Sequence, residues 1–383
     1  MLIDQYRESE FTAATSAGIF LNHAASSPMP ARVARAMTEA MAVSSRSPEQ
    51  FFMEHAIPAF VSLHHRMAAL MGVEPENVAI TKNTSHGLAI VADGLALDAG
   101  DNVVLSGCEY PSVVFPWYGQ AWRGVETRIV PASPDGTFTV DDFAPYIDSR
   151  TRVLALSWVQ FATGFRADLA AFAELAKAHD LLFVVDAIQA LGVIPFDGLA
   201  LGADVIVTGS QKWLLGPHGT GALYVKPSVL DRIHLVNMGA ASVTDFMKFD
   251  PMAFTVRPTV QRFEEGTPNI LGAIGTDKSV EILQQVGIEN VRARVFDLTR
   301  QAIDALDRKG YRVLSPREDD RRAGILMFDH PGHESEALLQ EMKTKAKVSG
   351  SIRNGHVRLS PHFYNTPEEI DTAIDALPVS PYA

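Results

Sequence analysis

Two polar residues at the ends of apolar runs carry the first chemical signal. Leu181-Leu182-Phe183-Val184-Val185 leads straight into Asp186, with Gln189 following, and a later run ends in Thr208-Gly209-Ser210-Gln211-Lys212-Trp213-Leu214-Leu215. Read alone, Asp186 is a helix N-cap, since a carboxylate after such a run is costly to bury unless a cation meets it. Read alone, Lys212 is an amine snorkelling to solvent. Poor hydration between two apolar runs would instead lower its pKa and make it a nucleophile toward carbonyls. At the ends of successive strands the two face one crevice. The pair then fits pyridoxal phosphate, with the lysine forming the Schiff base and the aspartate keeping the pyridine nitrogen protonated.

Such a cofactor needs a phosphate cradle. Lys82-Asn83-Thr84-Ser85-His86-Gly87 follows the run Val78–Thr81 and leads into the helical pattern Leu88–Leu95. Hydroxyls and free N–H groups at a helix start suit a dianion, although the same residues also make an ordinary helix cap. Another run ends in Glu109-Tyr110-Pro111-Ser112, where Tyr110 can stack on a planar ring or simply join the core.

The elements that would position these residues follow from periodicity. Seven short apolar runs, Val78–Thr81, Asn102–Ser106, Thr127–Val130, Val153–Trp158, Leu181–Val185, Val205–Thr208 and Gly221–Val225, alternate with helical patterns. That alternation predicts one α/β sheet of parallel strands with helices on both faces, and ligands bind beyond the carboxyl ends of such strands. A proline-bearing stretch from 227 to 270 (Pro227, Pro251, Pro258, Pro268) reads as an irregular excursion. Helices are expected over Gly272–Val286 and Val291–Arg308. A smaller α+β unit follows, with strands Tyr311–Leu314, Gly324–Phe328 and His356–Leu359 and helices Glu334–Lys345 and Pro367–Ala376. The organisation expected is an N-terminal segment 1–20, a large cofactor-binding domain 21–270 and a small C-terminal domain 271–383.

Composition agrees with a folded protein: 383 residues, 47 % hydrophobic and 20 % charged, at a formal charge of −12. The acidic balance, without a basic run, argues against nucleic acid. A single cysteine, Cys108, excludes an intrachain disulfide and a thiolate zinc site. The N-terminus lacks a secretory pattern, and no run approaches the ~18 apolar residues that span a bilayer. A cytoplasmic location is expected, with no membrane partner.

Taken together, these motifs resemble the class V aminotransferase family of pyridoxal-phosphate enzymes. This is the fold type I group that includes cysteine desulfurases, kynureninase and isopenicillin N epimerase-like proteins. The resemblance runs from Leu21-Asn22-His23-Ala24-Ala25 to Arg358-Leu359-Ser360-Pro361-His362-Phe363-Tyr364-Asn365-Thr366, and is strongest over Val185–Gly192 and Gly209–Gly221. It implies a mostly parallel seven-stranded large domain and a smaller α+β domain. It further implies that Lys212 bonds the cofactor, Asp186 pairs with the pyridine nitrogen and Gln189 with the phenolic oxygen, while Tyr110 stacks on the ring. Thr84, Ser85 and Gln211 would reach the phosphate. Glu265-Gly266-Thr267-Pro268-Asn269 looks like the segment whose Thr267 reaches the phosphate of a neighbouring subunit, which implies a homodimer with shared sites. Arg358 looks like the arginine that grips the substrate α-carboxylate, with Arg353 either assisting or lying in a solvated turn. Asn22 and His23 resemble the loop closing over the substrate.

Lys212 is also the natural base for the α-proton of a bound amino acid. Transamination, elimination and epimerisation all begin there. Desulfurases of this family carry a loop cysteine before the carboxylate arginine, and Val348–Arg358 has none. Persulfide-forming desulfuration is therefore disfavoured, whereas a cysteine-independent C–S lyase is not. Phe161 stands where desulfurases often have a polar residue, with Gln160 as a substitute or the pocket more apolar. The expectation is an aminotransferase, with lyase or epimerase as alternatives. A cofactor-sensing module without turnover is the non-enzymatic alternative, which the joint presence of Lys212, Asp186 and Arg358 argues against.

Overall fold

The computed structural model describes residues 2–133, 135–249 and 254–379; Pro251 of the expected excursion lies outside them. Strand β1 (Ile19–Phe20) comes first in the chain. The central sheet comprises β2 (Val78–Thr81), β3 (Asn102–Ser106), β4 (Glu126–Val130), β5 (Thr151–Ser157), β6 (Leu182–Asp186), β7 (Val205–Gly209) and β8 (Gly221–Val225). Every expected run forms one of these strands. Their spatial order is β2-β8-β7-β6-β5-β3-β4, and β8 alone is antiparallel to its neighbours β7 and β2. The sheet is thus mostly parallel, as expected. The one reversal follows from the connection after Gly209, which contains no helix, since a parallel return needs a crossover of about a dozen residues or more, usually helical.

Period-2 alternation assigns strand residues to two faces. Phe183 and Val185 of β6 join Leu154, Ile206 and Trp213 in one core. Leu182 and Val184 join Val103, Leu105, Val205 and Val207 in the other, covered by Leu88 and Val91 of the helix Thr84–Gly94. A strand apolar on both faces puts its first polar side chain at its end, which is where Asp186 stands.

The smaller domain is α+β. Its strands are β9 (Arg312–Val313), β10 (Leu326–Asp329), β11 (Val348–Ser349), β12 (Ser351–Arg353) and β13 (His356–Leu359). Four of them form an antiparallel sheet in the order β12-β13-β10-β9. Phe328, Val357 and Leu359 pack against Leu298, Leu306, Leu338, Met342 and Ile370 of three helices. The opposite face carries polar residues, because Ser351 pairs with Arg358 and Arg353 with His356 across the β12–β13 hairpin.

The N-terminal segment is tied into this domain. β1 pairs in parallel with β11, and Asn22 bridges to Ser360. Periodicity alone had not assigned the helices Leu2–Glu10, Ala31–Ser44 and Ile57–Met71. The helix Ile270–Val286 packs on the last two, so the boundary expected at 270 falls at the start of a helix lying against large-domain elements.

Candidate active site

β6 and β7 are neighbours in the sheet, and their carboxyl ends carry Asp186 and the turn that begins at Ser210. That turn is held from several sides: Ser210 donates to Pro217 O and Thr220 O, Gly216 N to Ser210 O, and Ser27 Oγ to Lys212 O at 2.6 Å. Leu215 sits at φ +59°, an unusual conformation for a leucine. Gly192 (φ +98°) lets the backbone approach Trp213, where a Cβ would lie 2.4 Å from its carbonyl oxygen.

Lys212 is 9 % exposed. Burial lowers its amine to about 8, opposed by the Asp186 charge and reinforced by Arg358 and Arg353. Burial raises Asp186 to about 6, opposed by its bond from Ile188 N at 2.9 Å and by the charge of Lys212. The two expected partners are thus electrostatically coupled in one buried crevice. The Lys212 Nζ also lies 5.5 Å from the centroid of the Tyr110 ring, which is 45 % exposed and makes an edge contact with Phe161.

Buried polar atoms without a partner mark where a ligand belongs. Among the described residues these include Thr84 Oγ1, Gln211 Oε1, Asn22 Oδ1 and Arg358 Nη2. At Gly209 a Cβ would meet Gln211 Oε1 at 2.7 Å and Thr84 Oγ1 at 3.0 Å, so two of these atoms converge on a strand end that glycine keeps open. Thr84 also begins the helix Thr84–Gly94, whose free N–H groups suit an anion. Ser85 is exposed, with its hydroxyl 2.7 Å from that of Ser112. Gln189 donates to Ala24 O and accepts from Trp213 Nε1 at 2.8 Å, which leaves one amide N–H to give. This donor set fits a phosphorylated pyridine carbonyl compound: a buried amine, a buried acid and an unsatisfied polar pocket at a helix start.

Arg358 is 1 % exposed. Its Nη1 donates to Phe161 O at 2.6 Å and its Nε to Ser351 Oγ at 3.2 Å, while Nη2 stays open. Burial, with the charge of Arg353, presses it down to about 9. Arg353 is half-buried and bonds Ile352 O, so it lies beside the site and not in a fully solvated turn. Thr267 is exposed and distinct in placement, just after the turn Val260–Phe263.

His23 packs between the N-terminal loop and the small domain. It is fully buried, with Nδ1 2.8 Å from Ser360 O and Nε2 2.8 Å from Tyr364 OH, and burial holds it well below the usual histidine range. Both nitrogens are occupied in that packing. The Gln160 amide turns inward, its Nε2 donating to Glu109 at 2.7 Å, while its Oε1 is buried without a partner. Cys108 bonds the Ser106 hydroxyl, and burial pushes its thiol up to about 12, so it offers no thiolate. The sequence reading missed the Phe161 carbonyl that holds Arg358. A backbone atom leaves no trace in side-chain type.

Fold and donor set together define a pyridoxal-phosphate-dependent enzyme of fold type I. Comparison with known proteins makes the assignment specific: residues 19–372 match the family described as Aminotransferase class-V, and the chain belongs to that family. A probable cysteine desulfurase of Methanothermobacter thermautotrophicus is 27 % identical over 92 % of both chains. A cysteine desulfurase from Thermococcus onnurineus superposes with a TM-score of 0.87, at 24 % identity over 97 % of this chain and 96 % of its own. The cystine C–S lyase C-DES, solved with its product cysteine persulfide, gives 0.86 at 22 % identity, covering 95 % and 98 %. C-DES has also been solved with glycine covalently linked to its pyridoxal phosphate. Pyridoxal 5′-phosphate is the cofactor of this chain.

Proposed function

We propose that the protein is an aminotransferase in which Lys212 is the single proton carrier. Bound pyridoxal phosphate supplies an electron sink that acidifies the Cα–H bond of an attached amino acid. Arg358 presents its open Nη2 to the substrate α-carboxylate, a planar donor suited to paired hydrogen bonds. Asp186 keeps the sink cationic. Thr84, Ser85 and Gln211 hold the phosphate, Gln189 the phenolic oxygen, and Tyr110 covers the ring. Lys212, already near neutrality, removes the Cα proton.

One observation favours a one-base reaction over epimerisation. The two imidazoles packed on Trp213, His23 and His362, have both ring nitrogens engaged. Neither is free to act as a second acid. Transamination needs only one base, which removes the proton and redelivers it; elimination needs no more, and transamination is put ahead of it on the breadth of the class V family. Cysteine-independent C–S elimination is the second reading, supported by the relationship to a probable desulfurase in a chain whose β11–β13 segment has no thiol.

The test is to supply single amino acids without a keto-acid acceptor. Transamination yields about one equivalent of keto acid per site and resumes only when a second keto acid is added. Continuous keto acid with ammonia or sulfide would replace it with elimination. We further propose that two copies share their sites, with Thr267 of each serving the other. In support, Thr267 lines the same apolar cavity as Phe52, Val61 and Met247, which are 45 %, 53 % and 61 % exposed.

A further inference from the structure

One buried carboxylate beside the site has no part in the chemistry above. Glu109 ends the β3 connection immediately before Tyr110 and is 9 % exposed. Its hydrogen bonds come from one turn only: Ser157 N at 3.0 Å, Ser157 Oγ at 2.5 Å and Gln160 Nε2 at 2.7 Å. None of these donors is a cation. A carboxylate buried without a counter-ion is costly, and burial with the nearby Asp186 pushes it up to about 7 in spite of those three donors.

What the turn does next gives that cost a purpose. Gly164 N bonds Gln160 O and Gln160 N bonds Phe165 O, so residues 160–165 form a closed loop anchored by the Glu109 bonds. The next residue, Phe161, meets both halves of the site. Its ring lies edge-on to Tyr110 at 5.3 Å, and its carbonyl accepts from Arg358 Nη1 at 2.6 Å. Fixing Nη1 on that carbonyl and Nε on Ser351 determines where the open Nη2 points.

We propose that Glu109 is a positioning residue that acts through the Ser157–Phe161 turn to aim Arg358 at the substrate carboxylate. This rests on the reading of Arg358 given above. It makes substrate affinity depend on a carboxylate that touches neither substrate nor cofactor, and joins the ring-stacking segment of the large domain to the arginine of the small one.

The experiment is a double-mutant cycle on the holoenzyme, using the amino acid that the keto-acid assay selects. Glu109→Gln sets an amide N–H against one of the three donors. It should raise KM about tenfold or more while kcat stays within about threefold and the visible absorption of bound cofactor is unchanged, because uniform binding is lost and chemistry is not. In an Arg358→Ala background it should add no further increase in KM. A Glu109→Gln enzyme with unaltered KM, or an increase that adds in full to that of Arg358→Ala, overturns the proposal while leaving the carboxylate reading intact. An unaltered KM in Arg358→Ala alone overturns both. If Glu109→Gln does not fold, Ser157→Ala removes one donor and should raise KM in the same direction; an unchanged KM there overturns the proposal equally.

Discussion

At Lys212 the decisive property is hydration. Buried to 9 % exposure, the amine sits at about 8 instead of its ordinary value near 10.4. Only the neutral amine attacks a carbonyl, so capture of pyridoxal phosphate by cofactor-free protein should slow roughly tenfold per pH unit below about 8 and level off above it. Arg358 is one of the charges pressing Lys212 down, so Arg358→Ala should move that midpoint upward; stopped-flow absorbance across pH reads both. A midpoint near 10 in the unaltered protein would refute the buried-amine account. Lys212→Ala should abolish the visible absorption band and lower turnover by at least about 10²-fold. Lys212 and Asp186 were legible in the sequence because each is polar at or just beyond the end of an apolar run. What surrounds the His23 ring was not legible, because its motif says nothing about it.

Elements place these residues, and two joints should be sensitive. Gly209→Ala puts a methyl group 2.7 Å from Gln211 Oε1 and 3.0 Å from Thr84 Oγ1. Crowding of this kind should weaken cofactor binding ~10-fold, about 1.4 kcal/mol, as read by fluorescence titration. The second joint is the helix Ile57–Met71 against β2. His64 Nε2 lies 2.6 Å from Glu264 Oε1, which also accepts from Ile80 N at 2.7 Å. Burial lowers the imidazole, but the hydrogen bond and charge of Glu264 raise it further, for a net increase above 6.5. A raised histidine contributes its full stability below about 6.5 and loses it as pH rises through the folded value. His64→Phe should therefore cost about 3 kcal/mol at pH 6 and visibly less at pH 9 in denaturant melts. An equal cost at both pH values would mean that the pair is uncharged.

For the whole molecule, shared sites have a direct test. Lys212→Ala and Thr267→Ala protomers, mixed and allowed to exchange, should regain one intact site per mixed pair, so activity rises above that of either variant alone. No gain on mixing, with sedimentation showing that exchange occurred, would place Thr267 in its own protomer's site. The described residues contain no helix long and apolar enough to cross a membrane. The seven strands, the cofactor and the pairing of Asp186 with Lys212 could be read from the chain, because strand periodicity and polar residues at strand ends are local patterns. The antiparallel course of β8, the pairing of β1 with β11 and the hold of Phe161 O on Arg358 were decided by tertiary structure alone. Each joins distant segments through hydrogen bonds in which at least one partner is a backbone group. Every residue except proline offers the same backbone donor and acceptor, so side-chain identity cannot announce which carbonyl a distant arginine will find.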